Sequence, residues 1–480
     1  MSHYYTATDH FALLPAILLA LFGCVIFLFD SMLGTRTRRW QLCLILPATA
    51  ITGWQLWRQG AALDGSVLTA FHGALTIDGF ALFFNALLLI TAALVALISY
   101  RYLELEQEHD GEYYGLILMA LAGAYFITTG TELITMFIGL ETMSLSFYVL
   151  VGFLRGSRRS NEAALKFFLL GAFSSGFMAY GFSVLYGIAG STYFADIASA
   201  VAARPASDPL TVIAILTIGV GGLFKIGAAP FHMWAPDAYE GAPTPVTAFL
   251  SAGSRAASLA MLLRLFLGPL GSAAEVWAPL MAVAAVASLV IGNFAAVSQT
   301  NLKRLLAYSS VSHAGYLLLG LVAGNATGQQ GIAIYMAAYV FMTIGAFLIL
   351  IAMRGDDVED LEGFAVRHPG YAVPMVIFLL SLVGLPPTAG FAGKYYIFLG
   401  LVESGQYGLA LLGALFVAVS LYYYFRLVRS MFLVPAGPPH AEVVTSLGLR
   451  VALGATGAVT LGAGIYPEPL LQLAARSLLQ

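Results

Sequence analysis

Apolar residues run along this chain in long stretches rather than in alternation. Fourteen stand out, at residues 11–30, 41–58, 79–100, 113–129, 131–154, 163–189, 210–235, 243–267, 276–298, 304–323, 330–353, 371–402, 407–432 and 446–466. At a rise of about 1.5 Å per residue, these lengths suit α-helices crossing about 30 Å of hydrocarbon. Strands of a membrane barrel would be about 10 residues long with alternating polarity, and that pattern is absent. The pattern predicts an all-α polytopic membrane protein of about fourteen transmembrane helices.

Two stretches do not read as simple rods. The seventh holds Gly227 and Pro230, and the twelfth holds Gly384, Pro386, Pro387 and Gly390 and is long for one straight span. Proline removes a backbone donor and interrupts a helix. Irregular backbone at membrane depth is tolerated only when buried in protein or lining a wet cavity. Helices 7 and 12 are therefore expected to be discontinuous.

Composition agrees: 60% of the 480 residues are hydrophobic and 10% charged, against about 25% charged in a soluble domain. Mean hydropathy is +0.86. A net charge of −3 offers no footprint for nucleic acid. The two cysteines, Cys24 and Cys43, match no zinc spacing and are too few for an iron–sulfur cluster; both read as small core residues. Only His3 and His10 are weakly basic near the start, so the first stretch reads as a retained span rather than a cleaved signal.

Basic residues set an orientation. Of 22 Lys and Arg, fifteen fall in one set of alternating loops, among them Arg36, Arg38, Arg39, Arg101, Arg155, Lys166, Lys303, Arg304 and Arg426. Four fall on the other side: Arg58, Arg204, Arg264 and Arg476. The bias predicts both termini on the outer side. Two inner loops, Glu104–Glu112 and Asp356–Glu362, are acid-rich, which fits a solvated surface or contact with a partner. No soluble domain is apparent at either end.

Four charges lie inside apolar spans: Glu141 in the fifth, Lys225 in the seventh, Arg255 in the eighth and Lys394 in the twelfth. Facing lipid, four such groups would together cost on the order of 10 kcal/mol. They must face protein, partners or water. A desolvated lysine with too few counter-charges can exchange protons near neutral pH, whereas arginine stays protonated. Lys225 and Lys394 are thus candidate proton carriers, Glu141 a candidate partner of Lys225, and Arg255 a fixed charge or water organiser. The other reading is static ion pairs fastening helices together. Each lysine lies near a helix break, the arrangement expected at a transport site in a repeat-built transporter.

The lysines are 169 residues apart, and the same offset carries Glu141 to Ser310, three residues before His313. This suggests a five-helix duplication, helices 4–8 matching 9–13, with an odd span count that inverts one copy. The implied division is 1–112 for helices 1–3, 113–267 for the first repeat, 276–432 for the second and 433–480 for helix 14. His313, on the tenth span, suits proton relay or a buried neutral role bonded to Ser or Tyr. His232, beside the first break, would line a water path or cap a helix end. Lys303 and Arg304 would fix orientation more readily than relay protons.

Four segments, GLETMSLSFYVLVGF, FKIGAAPFHMWAPDAYEGAPTPVTAFLS, NLKRLLAYSSVSHAGYLLLG and GLPPTAGFAGKYYIF, carry a resemblance. The chain resembles the antiporter-like membrane subunits of respiratory complex I and of Mrp-type cation/proton antiporters, over nearly its whole length. It is most similar to the N-type members: no long C-terminal helical extension follows, unlike the L-type, and position 394 is lysine where a glutamate is expected in the M-type. The resemblance implies proton uptake from the cytoplasm near Lys225 and Glu141, passage along a hydrated midplane axis through residue 255 and His313, and exit by Lys394. Quinone reduction in partner subunits would drive it. FMN, iron–sulfur clusters and quinone would belong to those partners, with none in this chain. Its neighbours would be K-, J- and M-type subunits in a bacterial cytoplasmic membrane. A titratable lysine usually stands where this chain has Arg255, which puts a relay step there in doubt.

Three rival readings share these helices: a subunit of a Mrp-type antiporter, a subunit of a membrane-bound hydrogenase, and a non-pumping scaffold. A stand-alone enzyme is disfavoured, since no Gly-rich nucleotide loop in a strand–helix setting and no nucleophile constellation is present.

Overall fold

The computed structural model describes residues 5–33, 40–63, 65–106, 111–435 and 443–479. Arg36, Arg38 and Arg39, and part of the acid-rich Glu104–Glu112 loop, lie outside the described residues.

The chain opens with α1 (Ala7–Leu33) and α2 (Leu42–Leu63), then a short antiparallel hairpin of β1 (Leu68–Ala70) and β2 (Leu75–Ile77). Next come α3 (Gly79–Glu106), α4 (Gly111–Thr129), α5 (Leu133–Val151), α6 (Arg158–Ala189) and the short α7 (Phe194–Ala202). The seventh expected span is two helices, α8 (Pro209–Ile226) and α9 (Trp234–Gly241). The eighth is α10 (Thr244–Phe249), a π-helical turn at Leu250–Ser254, and α11 (Arg255–Leu267). Then follow α12 (Ala274–Val297), α13 (Leu302–Ala323), α14 (Ala326–Met353) and the short α15 (Phe364–Arg367). The twelfth span is again double, α16 (Pro369–Val383) and α17 (Ala389–Glu403), followed by α18 (Tyr407–Leu433), α19 (Leu447–Ile465) and α20 (Glu468–Arg476).

The ends of these helices follow local chemistry. Glu132, Ser157, Asp208, Asn301, Asn325 and Ser446 each accept a backbone N–H at a helix start. Among the described residues, eleven helical segments are long and apolar enough to cross a membrane by themselves. Counting α2, α4 and the broken α16–α17 as spans completes the fourteen expected from the sequence.

Burial sorts the helices. The apolar stretch of Thr244–Leu267 is 100% buried, and those of α13 and α14 are 94% buried, against 33% for α18 and 22% for α19. The centre is therefore α10–α11, α13 and α14, and the outer helices turn much of their surface to lipid or neighbours. Helices meet through small residues, as expected where lipid removes the hydrophobic drive between them. A Cβ on Gly123 of α4 would lie 2.6 Å from the Gly139 carbonyl of α5. A Cβ on Gly292 of α12 would lie 2.6 Å from the Ser312 amide of α13.

The α4–α5 and α12–α13 pairs share a further device. Glu132 before α5 bridges Tyr193 beyond α6, and Asn301 before α13 bridges Asp357 beyond α14. The two caps are 169 residues apart.

Two expectations fail. Cys24 and Cys43 are exposed rather than in the core; a membrane helix is apolar on its outer face too, so a small apolar side chain is not drawn inward. Arg264 is not a loop charge. Its side chain is 5% exposed and pairs with Asp78 at 2.8 Å, tying the end of α11 to the start of α3.

Candidate functional site

The first break begins where α8 stops at Gly227, φ +69°. That left-handed turn lets the amide of Ala228 return to the Leu223 carbonyl at 2.8 Å. The Trp234 indole donates to the Phe224 carbonyl at 2.9 Å, and the Ala229 amide donates to Ser288 Oγ of α12 at 2.8 Å. Each of these groups left bare in hydrocarbon would cost several kcal/mol.

Lys225 occupies the last turn of α8 and is buried. Its ammonium donates to Ser144 Oγ at 2.7 Å and Tyr148 OH at 3.4 Å, both on α5. Glu141 lies one turn before Ser144 on the same helix. It is half-buried and accepts a hydrogen bond from Ser175 Oγ of α6 at 2.5 Å. Glu141, Ser144 and Tyr148 share one face of α5 by their spacing. Glu141 bonds Ser175 and forms no ion pair with Lys225 among the described residues; the group in contact with the lysine is Ser144.

Arg255 follows the π-helical turn, which interrupts the regular ladder where the guanidinium must be aimed inward. It is buried and makes three bonds: to the Ser310 carbonyl at 2.6 Å, Tyr339 OH at 2.9 Å and Ser310 Oγ at 2.5 Å. Tyr339 also meets Ser251 Oγ at 2.9 Å, and Ser310 meets Tyr239 OH at 3.1 Å. Arg255 therefore ties α11 to α13 and α14.

His313, one turn beyond Ser310 on α13, is buried. Its Nδ1 lies 2.5 Å from Tyr335 OH and its Nε2 3.3 Å from Tyr424 OH. The Tyr424 hydroxyl also bonds Ser309. The His313 ring packs on Tyr339 with centroids 5.2 Å apart.

The second break begins at Gly384, φ +88°. Lys394 lies beyond it, on α17, and is buried. Its ammonium donates to the carbonyls of Leu382 and Val383 at 3.0 and 2.7 Å, the stranded C-terminal carbonyls of α16. It lies 4.3 Å from the centre of the Tyr316 ring and 5.9 Å from that of Tyr335. A Cβ on Gly384 would lie 2.7 Å from Lys394 Cδ, so glycine is needed there for space as well as for φ.

Lys225, Arg255, His313 and Lys394 are thus all buried; hydroxyls bond the first three, backbone carbonyls hold Lys394, and Glu141 sits nearer the surface. His232 lies in the first break with Nδ1 unbonded, and no side chain caps α9. Lys303 and Arg304 lie apart from the axis. Lys303 pairs with Asp356 at 3.2 Å, and Arg304 joins Asp237 and Glu240 of α9 at 2.8 and 2.9 Å. Sequence reasoning passed over Tyr316, Tyr335 and Tyr339, and reached Tyr424 only as the position that the 169-residue offset pairs with Arg255. Tyr335 and Tyr339, four apart in an apolar span, were the available signal.

Two broken helices, each with a buried lysine, enclosed by other helices, define an antiporter-like, multi-pass membrane protein. A family model described as NADH:quinone oxidoreductase/Mrp antiporter, transmembrane, matches residues 130–420. NADH-quinone oxidoreductase subunit N 2 of Solibacter usitatus is 59% identical over 99% of this chain and 99% of its own. Subunit N 1 of Koribacter versatilis is 46% identical over 97% of this chain and 94% of its own. A chain of respiratory complex I from Thermus thermophilus with bound aureothin superposes with a TM-score of 0.81 at 33% identity, covering 96% of this chain and 99% of that one. The chain belongs to the NADH-quinone oxidoreductase subunit N family. An archaeal membrane-bound sulfane sulfur reductase chain (TM-score 0.86, 23% identity, 97% of this chain and 96% of that one) shares the fold.

Proposed function

We propose that this chain is a proton-translocating membrane subunit of an NADH:quinone oxidoreductase. The observation that carries the reading is the buried series Lys225, Arg255, His313 and Lys394, on α8, α11, α13 and α17, with hydroxyl groups bonded to three of the four. Protons would be taken up near Glu141 and Lys225, cross by His313 and its tyrosines, and leave by Lys394. Arg255 would hold a fixed positive charge at the centre of the axis.

Helices 4–8 and 9–13 would form two inverted antiporter-like repeats, 113–267 and 276–432, preceded by helices 1–3 and followed by helix 14. The basic-loop bias supports both termini on the outer side of a bacterial cytoplasmic membrane. Partners would be the K-, J- and M-type membrane subunits, and redox groups would reside in other chains. Among the described residues, no three His, Cys, Asp or Glu side chains converge on a point. Relatives at 59% and 46% identity favour the quinone oxidoreductase over the Mrp-type and hydrogenase readings.

The test is the assembled complex carrying Lys225→Ala in proteoliposomes. NADH-driven proton uptake should fall with assembly intact. Full coupled uptake would make the chain a scaffold, and co-purification with a different set of redox or cation-transport subunits would overturn the assignment.

A further inference from the structure

The half-helix that follows the first break cannot place itself. A helix shorter than about 12 residues is marginal alone, so α9, with eight, takes its position from its contacts. One end is set by packing. The Trp234 ring stacks on Phe167 of α6 with centroids 4.5 Å apart, and its indole reaches back to the Phe224 carbonyl across the break.

The other end is set by charge. Asp237 and Glu240, three residues apart, share the partly exposed face of α9. Arg304 of α13 donates to both, at 2.8 and 2.9 Å. Lys166 of α6 donates to the second oxygen of Asp237 at 3.0 Å. Lys303, beside Arg304, donates to the Ala242 carbonyl just past the end of α9 at 3.4 Å.

The opposite face of α9 is buried and carries Tyr239. Its hydroxyl meets Ser310 Oγ at 3.1 Å. Ser310 is the residue that holds the Arg255 guanidinium, through its carbonyl and its hydroxyl. Arg304 and Ser310 are six residues apart on α13, a rise of about 9 Å. α9 is therefore fixed to α13 at two depths, by an ion pair near the surface and by a hydroxyl contact at the polar axis.

We propose that Arg304 and Lys166 are positioning residues for proton passage. Through Asp237 and Glu240 they set the place of α9, and through Tyr239 they hold Ser310 against Arg255. The proposal rests on the proton-translocating role given above. Partly exposed ion pairs add little stability, so fastening alone is a small return for a cluster bridging three helices. Position matters more: a shift of about 1 Å in a working group can cost about 10²-fold in rate.

The assembled complex is reconstituted into proteoliposomes carrying Arg304→Gln, Tyr239→Phe or both, and NADH-driven proton uptake is measured. Each single variant should assemble and lose uptake at least about fivefold, within the range that misplacement produces. The double variant should be no slower than the slower single one, because both changes break one linkage. Arg304→Lys, which keeps a cation before both carboxylates, should recover most of the uptake. Parent uptake in either single variant, losses that multiply in the double variant, or an Arg304→Lys complex as slow as Arg304→Gln overturns the proposal. Should Arg304→Gln fail to assemble, Asp237→Asn goes through the same cycle with Tyr239→Phe, and the same outcomes decide. Lys225→Ala in parallel separates the two claims. Low uptake there beside parent uptake in Arg304→Gln removes only the positioning role, whereas parent uptake in Lys225→Ala removes both.

Discussion

The ammonium of Lys394 lies 2.7 Å from the carbonyl of Val383, the last residue of the half-helix that precedes its own. Those carbonyls are the negative end of the α16 dipole, so the break itself is a counter-charge. Lys225 is placed the other way round, on the half-helix that ends. It takes its contacts from the hydroxyls of α5. The two lysines are 169 residues apart, yet they stand on opposite sides of their breaks. One is held by stranded backbone and the other by side chains.

Lys394→Gln should separate charge transfer from structure. The amide can still donate to Leu382 and Val383, but it cannot carry a proton. Coupled proton uptake by the complex should fall by about 10²-fold or more, the low end for loss of a positioned proton-transfer group, while the complex assembles in normal yield. Lys394→Ala should do the same to uptake. Normal uptake by the Gln variant would remove Lys394 from the route.

Gly384→Ala should damage the same step without touching the lysine. An L-residue at φ +88° costs about 1–2 kcal/mol, and the added methyl would meet Lys394 Cδ at 2.7 Å. Uptake should drop toward that of Lys394→Ala. Gly408→Ala, where a Cβ meets nothing within 4 Å, is the control and should behave as the parent. Equal behaviour of the two alanine variants would show that the close approach is not required.

Spans, breaks and intramembrane charges were legible because each is a local pattern: an apolar run, a Pro–Gly cluster, an isolated Lys. Membrane insertion makes burying a charge expensive, which turns composition into a locator of sites. What surrounds those charges was not legible. The contact between His313 and Tyr335 joins α13 to α14, and that between Lys225 and Ser144 joins α8 to α5; pairings between spans leave no mark in either one. The π-helical turn before Arg255 is marked only by Gly253, and an isolated glycine inside a helical pattern does not by itself signal a π-turn. The cysteines and Arg264 were misplaced for a related reason: hydropathy reports depth, not which way a helix faces.

Arg255 tests whether charge or shape matters at the centre. From the sequence, charge alone should suffice, so Arg255→Lys should keep most coupled uptake. The guanidinium, however, makes three bonds to Ser310 and Tyr339, and an ammonium lacks that fork. The lysine variant should therefore melt earlier, by the loss of about 1.5–3 kcal/mol for each charged bond not remade. Arg255→Ala should lose uptake as well as stability. Thermal denaturation of the purified complex and proton uptake in proteoliposomes read the two effects separately. A silent Arg255→Ala would end the fixed-charge role.

Tyr335 spans the second half of the axis, with its hydroxyl 2.5 Å from His313 Nδ1 and its ring 5.9 Å from the Lys394 ammonium, as Tyr316 does by ring contacts alone. A Cβ on Gly393 would lie 2.5 Å from Tyr335 Cα, so α17 and α14 are packed closely around this contact. Tyr335→Phe keeps that packing and removes the hydroxyl alone. If His313 passes protons toward Lys394 through this group, coupled uptake should fall at least about tenfold, for the loss of a bond of about 1.5 kcal/mol, and uptake in deuterated solvent should slow further than it does in the parent. Tyr424→Phe, which removes the longer 3.3 Å contact to Nε2, should cost less. If Tyr335→Phe lowers the melting temperature but leaves uptake and its isotope effect at parent values, Tyr335 is a packing residue and the proton takes another way past His313.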